Sequence, residues 1–285
     1  MSPEGRGPVI GVLALQGAFE EHQECLEAIG CQTKQIRTAE ELDGVDGIVL
    51  PGGESTAMGL IAANSNLWTE LQSFSKTKPI WGTCAGMILL SDKCIGGSAV
   101  IENGQTLIGG MDILVCRNYF GSQISSFEMP TPAPPTSDTN ETPENTTPYP
   151  GVFIRAPAIL TSSSDVTVLG KVMATPCCQA AVVLRELETK IAAGENVVQM
   201  PVVDALERKK GEGIFYKEVK KGMNGTGSAT IDHSLKLPGA ADGSNAREVI
   251  CAARKGNILC TAFHPELTKD YRWHQYFLDM VTASQ

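Results

Sequence analysis

The first hundred residues alternate apolar runs of strand length with segments of helical periodicity, and this alternation restricts the folds open to the chain. The predicted strands are VIGVLAL (9–15), CQTKQI (31–36), DGIVL (46–50) and PIWGTC (79–84), and the predicted helices are 18–30, 56–65 and 85–93. Continuous apolar runs are typical of strands that are covered on both faces. The order β-α-β-α therefore predicts an α/β fold with one doubly wound, mostly parallel sheet and helices on both faces.

The second half of the chain is less regular. Residues 129–150 are rich in Pro, Thr and Asn and lack Lys and Arg, which predicts a disordered surface loop. Residues 173–247 are interpreted as a partly flexible insertion that contains an amphipathic helix at 179–194. EVICAARKGNILCTAF (248–263) predicts a hairpin around Lys-Gly-Asn, and 271–281 predicts a closing helix. We interpret 1–285 as one domain that contains these two additional segments.

Composition excludes several classes of function. The net charge is −9 and no basic cluster occurs, which argues against nucleic acid or an anionic membrane as a partner. No apolar run reaches the roughly 18–20 residues of a membrane span, and the start MSPEGRGPVIG does not resemble a secretory signal. A cytoplasmic protein is expected. Nine cysteines without framework spacing are then free thiols. With no CxxC pair and only four histidines, no metal site is expected. No cofactor is expected either.

The pentapeptide GTCAG places Cys84 between Gly82 and Gly86, where an apolar strand passes into a helix. This is the cysteine form of a nucleophile elbow, a turn so tight that side chains two residues away would collide. The helix beginning at Ala85 would direct its amides at the sulfur, which favours the thiolate and gives an N–H donor for an oxyanion. The alternative is a buried thiol between two turn glycines.

AFHPEL supplies a second element, because His264 follows an apolar strand and Glu266 stands two residues further on. An extended His-Pro-Glu would bring the carboxylate beside the imidazole and fix its tautomer. An incidental pair on a surface loop is the alternative. The other three histidines, His22, His233 and His274, are interpreted as structural or solvent-exposed.

PGGES (51–55) also follows a buried strand, and its two glycines expose backbone amides. Neither a Walker A motif nor GxGxxG occurs, so a second oxyanion donor, at Gly53, is favoured over a phosphate site. Ligands of such sheets lie beyond the carboxyl ends of the strands. The three motifs together predict attack of a cysteine thiolate on an acyl or amide carbonyl through a covalent thioester.

These motifs resemble class I triad glutamine amidotransferases. More narrowly, the chain is similar to the glutaminase subunits of pyridoxal 5'-phosphate synthases, through most of 8–172 and 248–281. The segments that carry this resemblance are LALQGAFEEH (13–22), LPGGEST (50–56), GTCAGMILL (82–90), RNYFGSQISSFE (117–128), VFIRAP (152–157) and FHPELT (263–268). The resemblance implies the flavodoxin-like amidotransferase fold and hydrolysis of glutamine to glutamate and ammonia.

The resemblance also implies roles for residues. Cys84 would attack the glutamine amide, with His264 as acid and base and Glu266 orienting it. The implied substrate-binding residues are Gly52, Gly53, Glu54, Ser55, Arg117, Ile154 and Arg155, with the arginines holding the α-carboxylate. Gln16 would lie near the oxyanion hole and the interface with the synthase subunit, which receives the ammonia inside the complex.

Other functions stay open on the residues alone. The chain could serve another synthase, which the co-purifying partner would reveal, or it could be a silent regulatory module on the same fold. Alkylation of Cys84 no faster than that of the other cysteines would favour the silent module. A cysteine protease is a further alternative, although two substrate arginines favour a small charged ligand. The additional segments 129–150 and 173–247 interrupt no motif.

Overall fold

The computed structural model of the protein describes residues 7–62, 65–96, 107–121, 126–135, 147–193, 237–239 and 245–284. The strands are β1 (Val9–Leu13), β2 (Gln32–Ile36), β3 (Gly47–Leu50), β4 (Ile80–Thr83), β5 (Ser91–Ile95), β6 (Met111–Cys116), β7 (Ser126–Thr131), β8 (Tyr149–Ile154), β9 (Ala158–Ser162), β10 (Thr167–Ala174), β11 (Arg247–Lys255) and β12 (Ile258–Thr261). The helices are α1 (Phe19–Ala28), α2 (Ser55–Ala62), α3 (Leu67–Ser75), α4 (Ala85–Leu90), α5 (Cys178–Ala192) and α6 (Arg272–Ala283).

The predicted α/β architecture is confirmed, with a large mixed sheet at its centre. Its strand order is β2-β1-β3-β4-β12-β11-β9-β6-β5, with β10 paired to β11. Pairing is parallel from β2 through β12 and between β5 and β6, whereas β9, β10 and β11 pair antiparallel with their neighbours. The strands predicted from the first hundred residues all lie in the parallel half.

Both faces of the parallel half carry helices, as two consecutive residues of β4 show. The ring of Trp81 contacts His22 of α1 and Phe277 of α6. Gly82 lies on the opposite face against Gly86 of α4. Because successive side chains of a strand point to opposite faces, a strand between two helical layers must be apolar along its whole length. This explains why the strand signal was a continuous run and not an alternation.

Most predicted elements are confirmed, but the third predicted helix ends earlier than expected. Helix α1 ends before Gly30, whose φ of 90° is the left-handed conformation expected of a helix terminator. The hairpin β11–β12, helix α6 and the amphipathic helix α5 are also present. Residues 91–93 were predicted helical but begin β5, because Ser91 takes an extended conformation and its hydroxyl donates to the Ile88 carbonyl.

The predicted loop at 129–150 is wrong at both ends. Residues 129–131 belong to β7 and 149–150 to β8, and these two strands form a separate antiparallel sheet. Aromatic packing outweighs the polar composition, because Phe127 stacks on Phe153 with centroids 5.4 Å apart and Tyr149 is fully buried. Residues 136–146, and 194–236 and 240–244 of the predicted insertion, lie outside the described residues. The division of the chain into one domain with two additional segments stays a prediction.

The nine cysteines are free thiols, as predicted. Seven of them are buried, whereas Cys177 is half-buried and Cys178 is exposed. The sulfur of Cys177 accepts from the Ala180 amide at 3.5 Å and thereby caps α5.

Within the described ranges, no helix is both long enough and apolar enough to cross a bilayer. The cytoplasmic location stays a prediction.

Candidate active site

Three loops converge because β3, β4 and β12 are parallel neighbours with β4 in the middle. The register pairs Gly82 of β4 with Leu50 of β3 on one side and with Cys260 of β12 on the other. The chain leaves these strands at the same edge of the sheet, and the loops that follow carry the predicted PGGES, GTCAG and HPE motifs. The motifs are therefore neighbours in space although the last is far from the others in sequence.

Cys84 occupies a strained turn between β4 and α4. Its backbone has φ 46° and ψ −101°, a conformation that residues with a side chain rarely adopt. Its amide donates to the Thr261 carbonyl at 2.9 Å, which fixes the turn against β12. A Cβ at Gly82 would lie 2.5 Å from Gly86, and one at Gly86 would lie 2.0 Å from the Leu50 carbonyl oxygen. The collision predicted for side chains on either side of Cys84 is confirmed.

His264 and Glu266 form a buried pair. Nδ1 of His264 lies 2.7 Å from Oε1 of Glu266, so the carboxylate holds the imidazole by that nitrogen. The prediction that His-Pro-Glu is extended is wrong, because Pro265–Leu267 is a turn of 3-10 helix. Proline fixes a φ that suits the start of such a turn, and the turn brings the carboxylate back towards the ring.

The charges of this site support one another. Burial alone would lower the pKa of His264, but the charge of the Cys84 thiolate and the Glu266 carboxylate outweigh it, and the pKa is raised well above 6.5. Burial raises the pKa of Glu266, but His22 and His264 outweigh it, and the pKa is lowered. A protonated imidazole between a cysteine sulfur and a carboxylate is the arrangement in which a cysteine nucleophile is activated.

This ion pair predicts the order in which the thiols react. At pH 6 His264 remains protonated, so we expect substoichiometric iodoacetamide to alkylate Cys84 before the exposed Cys178. Burial raises the pKa of Cys94, Cys116 and Cys251 to about 12, so these thiols should stay unmodified. Peptide mapping by mass spectrometry measures the order, and labelling of Cys178 first would show that the thiolate–imidazolium pair does not form.

The PGGES loop packs directly on His264 and on the loop after β1. A Cβ at Gly52 would lie 2.3 Å from Cε1 of His264, so only glycine leaves room for the ring. Gly53 has φ 153°, and a Cβ there would lie 2.4 Å from Oε1 of Gln16. The same oxygen of Gln16 accepts from the Glu54 amide at 2.7 Å. Gln16 thus holds the loop whose amides were predicted to stabilise an oxyanion.

Arg117 joins this group from the other half of the sheet. It follows β6, yet its guanidinium lies 3.4 Å from Oε1 of Glu54 and 3.1 Å from the Thr56 hydroxyl. The carboxylate of Glu54 also accepts from the Thr56 and Ala57 amides at the start of α2, the helix that begins at the buried Ser55. Because β6 and β3 are distant in the strand order, this contact requires the sheet to curl.

Ile154 and Arg155 stand at the end of β8, further from the triad in the network of contacts. The His264 amide donates to the Val152 carbonyl at 2.8 Å, which ties β8 to the catalytic loop. Arg155 is exposed and has φ 46°, so the chain turns sharply there. Direct contacts join eight of the predicted residues, namely Cys84, His264, Glu266, Gly52, Gly53, Glu54, Gln16 and Arg117. Ile154 and Arg155 follow Val152 by two and three residues, so the backbone hydrogen bond of Val152 to His264 links their strand to this group.

The sequence did not identify His22 as part of the site. It was interpreted as structural or exposed, but it is fully buried and its Nε2 lies 3.3 Å from Oε2 of Glu266. Its place on α1 gave a usable signal, since His22 continues the stripe formed by Phe19, Leu26 and Ile29 that faces the sheet.

Comparison with known proteins gives consistent matches. Residues 12–190 match the SNO glutamine amidotransferase family. A "Probable pyridoxal 5'-phosphate synthase subunit PDX2" of Arabidopsis thaliana is 39% identical over 95% of this chain and 85% of its own. A "Pyridoxal 5'-phosphate synthase subunit PdxT" of Listeria monocytogenes is 33% identical over 95% of this chain and 98% of its own. The solved structure "Crystal structure of glutamine amidotransferase" aligns with TM-score 0.60 at 26% identity over 96% of this chain and 98% of its own.

Proposed function

The chain belongs to the SNO glutamine amidotransferase family, and we propose that it is the glutaminase subunit of a pyridoxal 5'-phosphate synthase. The observation that carries the proposal is the buried pair of His264 and Glu266 beside a cysteine that the fold displays on a strained turn. These groups can hydrolyse an amide without a metal or an organic cofactor.

The first half of the reaction forms a thioester. The Cys84 thiolate attacks the side-chain carbonyl carbon of glutamine, and negative charge develops on the carbonyl oxygen. We assign the backbone N–H groups of Gly53 and Ala85 to that oxygen. His264 then gives its proton to the nitrogen as the carbon–nitrogen bond breaks, and ammonia leaves. Glu266 stabilises the imidazolium before this transfer.

The second half of the reaction releases glutamate. The now neutral His264 accepts a proton from water, the resulting hydroxide attacks the thioester carbon, and the Cys84 thiolate departs. His264 is thereby protonated again, which restores the resting ion pair. Both half-reactions use the same nitrogen, Nε2, because Nδ1 is held by Glu266.

The glutamine pocket is assigned to the loops around this centre. Its proposed members are Gly52, Gly53, Glu54, Ser55, Arg117, Ile154 and Arg155. The guanidinium groups of Arg117 and Arg155 would hold the α-carboxylate. Arg117 is positioned for this by Glu54 and Thr56, and its side chain is only 9% exposed, which strengthens an ionic contact. Gln16 would transmit contact with the synthase subunit to the PGGES loop through the Glu54 amide.

Glutaminase activity in the presence and absence of the synthase subunit tests the proposal. We expect ammonia release from glutamine to rise several-fold when the pyridoxal 5'-phosphate synthase subunit is added, because the partner completes the site next to Gln16. Glutamate dehydrogenase coupling measures the ammonia, and asparagine as a substrate controls for specificity. Absence of ammonia release in the complex would contradict the proposal, and equal activation by an unrelated synthase would contradict the assignment of the partner.

A further inference from the structure

A buried chain of hydrogen-bonding side chains continues behind the triad, on the side of Glu266 that faces away from His264. Nε2 of His22 lies 3.3 Å from Oε2 of Glu266 and 3.2 Å from the Thr83 hydroxyl oxygen. Nδ1 of His22 lies 3.0 Å from Nε2 of His274 on α6. Both histidines have no solvent exposure, so solvent cannot replace any of these contacts.

The needs of the carboxylate determine where the protons lie. Oε1 of Glu266 accepts from His264, and a buried Oε2 also requires a donor. Among the described residues no geometrically ideal hydrogen bond reaches Oε2, and a side-chain N–H within reach of it is that of His22 Nε2, which the Thr83 hydroxyl oxygen shares. Nδ1 of His22 must then be an acceptor, so Nε2 of His274 carries the proton between the two rings.

The second ring nitrogen of His274, Nδ1, agrees with this arrangement of protons. With its proton on Nε2, His274 has a bare Nδ1, and that buried atom has no partner in the described part of the chain. Burying an unprotonated ring nitrogen without a partner costs less free energy than burying an unpaired N–H on a charged imidazolium ring. Burial lowers the pKa of His22, and burial together with His22 lowers the pKa of His274 far below 6.5, so both rings are neutral.

We propose that His22 is a positioning residue of the catalytic site, which holds Glu266 ionised and oriented by donating from Nε2, with its tautomer set by His274. The inference rests on the proposed function, since it concerns the carboxylate of the same triad. Because Glu266 orients His264, His22 acts on the reaction through two intermediaries without touching substrate.

The titratable groups that face this chain come from every element packed on it. They are Glu21 and Cys25 of α1, Tyr149 of β8, His264 and Glu266 of the catalytic loop, and His274 of α6. Loss of the His22 N–H removes a donor that stabilises the Glu266 charge, whereas burial continues to oppose that charge. The pKa of Glu266 must therefore rise. On acidification the Glu266 carboxylate is then protonated, and activity is lost, at a higher pH than in the unaltered protein.

The test compares His22→Leu, which removes the donor, with His22→Gln, which keeps an N–H at a similar distance from the backbone. Leu26→Val, one turn later on the buried face of α1, is the packing control. For His22→Leu in the complex with the synthase subunit we expect kcat to fall about 10- to 100-fold with little change in KM. We also expect the acidic limb of kcat/KM to move about one unit or more to higher pH.

His22→Gln should recover most of kcat and return the acidic limb towards that of the unaltered protein. The inference is overturned if His22→Leu keeps the original pH profile, if His22→Gln is as impaired as His22→Leu, or if Leu26→Val shifts the limb equally. If His22→Leu does not fold, His274→Leu takes its place. That variant removes the donor that fixes the His22 tautomer and should shift the limb in the same direction by a smaller amount.

A second measurement separates this inference from the proposed function. The ratio of the Cys84 alkylation rates at pH 5 and pH 8, measured with iodoacetamide, requires neither glutamine nor partner. We expect His22→Leu to lower the ratio and Leu26→Val to leave it unchanged. A lowered ratio in a protein that never hydrolyses glutamine would refute the proposed function and support the role of His22. An unchanged ratio in an active glutaminase would refute the role of His22 and leave the proposed function intact.

Discussion

Cys84→Ala is expected to reduce glutaminase activity in the complex by about 10⁶-fold, to the background of the assay, as loss of the nucleophile does in other triad hydrolases. The sulfur is the atom that forms the thioester, and no neighbouring group can replace it. The described cysteines that lie nearest along the chain, Cys94 and Cys116, are buried with pKa values raised to about 12.

Cys84→Gly makes the same prediction sharper, because it also tests the strain in the turn. Glycine adopts φ 46° and ψ −101° without penalty, whereas alanine retains a Cβ there. Such a conformation costs of order 1–3 kcal/mol, and glycine loses about 0.5–1 kcal/mol more conformational entropy on folding. We therefore expect the Gly variant to exceed the Ala variant in unfolding free energy by about 1 kcal/mol, although both are inactive.

Denaturant unfolding of the two variants, with ammonia release measured on the same samples, decides this prediction. Residual turnover in both variants would show that another residue is the nucleophile. Equal stability of the two variants, or a less stable Gly variant, would show that the backbone at this position is not strained. The combination of inactivity and higher stability is the result that identifies a turn maintained for catalysis.

Glu266→Gln is the second change with a large expected effect. The amide removes the charge that stabilises the His264 imidazolium and can present an N–H to Nδ1, which favours the wrong tautomer. We expect kcat to fall about 10⁴-fold, the loss that follows the same exchange in a Ser-His-Asp triad, with KM for glutamine nearly unchanged. Steady-state kinetics of the complex measures both constants, and a change confined to KM would contradict a role in the chemical steps.

The same substitution changes how stability depends on pH. The pKa of Glu266 is lowered by folding, so its stabilising contribution is present above 4.5 and is lost as the pH falls through the folded value. The pKa of His264 is raised, so its contribution is present below 6.5 and is lost as the pH rises through the folded value. We expect the difference in unfolding free energy between the protein and Glu266→Gln to be largest between these limits. A difference independent of pH would contradict the buried ion pair.

The parallel half of the sheet and the proposed triad could be predicted from the sequence because each depends on local chemistry. Apolar runs predict β1, β3 and β4, and the glycines around Cys84 predict a turn that excludes a Cβ. The other half of the sheet could not be predicted in this way. Strand β5 begins with Ser-Asp-Lys, and its place depends on pairing with β6, including the contact of Lys93 with Asp112 at 2.9 Å.

Features that depend on distant contacts were also missed. The composition of 129–150 gave no sign that its ends pair, because the partners Phe127 and Phe153 and the anchor Tyr149 lie at or beyond its limits. His22 looked like any histidine on a helix until α1, α6 and the catalytic loop were placed together. Sequence periodicity predicts which residues are buried, but only the folded structure shows which residues they contact.

The position of β12 in the middle of the sheet determines when the enzyme can become active. Trp81 donates to the Thr261 hydroxyl at 3.2 Å across 180 residues of chain, so the nucleophile and its base meet only after nearly the whole polypeptide has left the ribosome. Contacts between such distant residues form late and slowly in folding. An incomplete nascent chain therefore releases no ammonia.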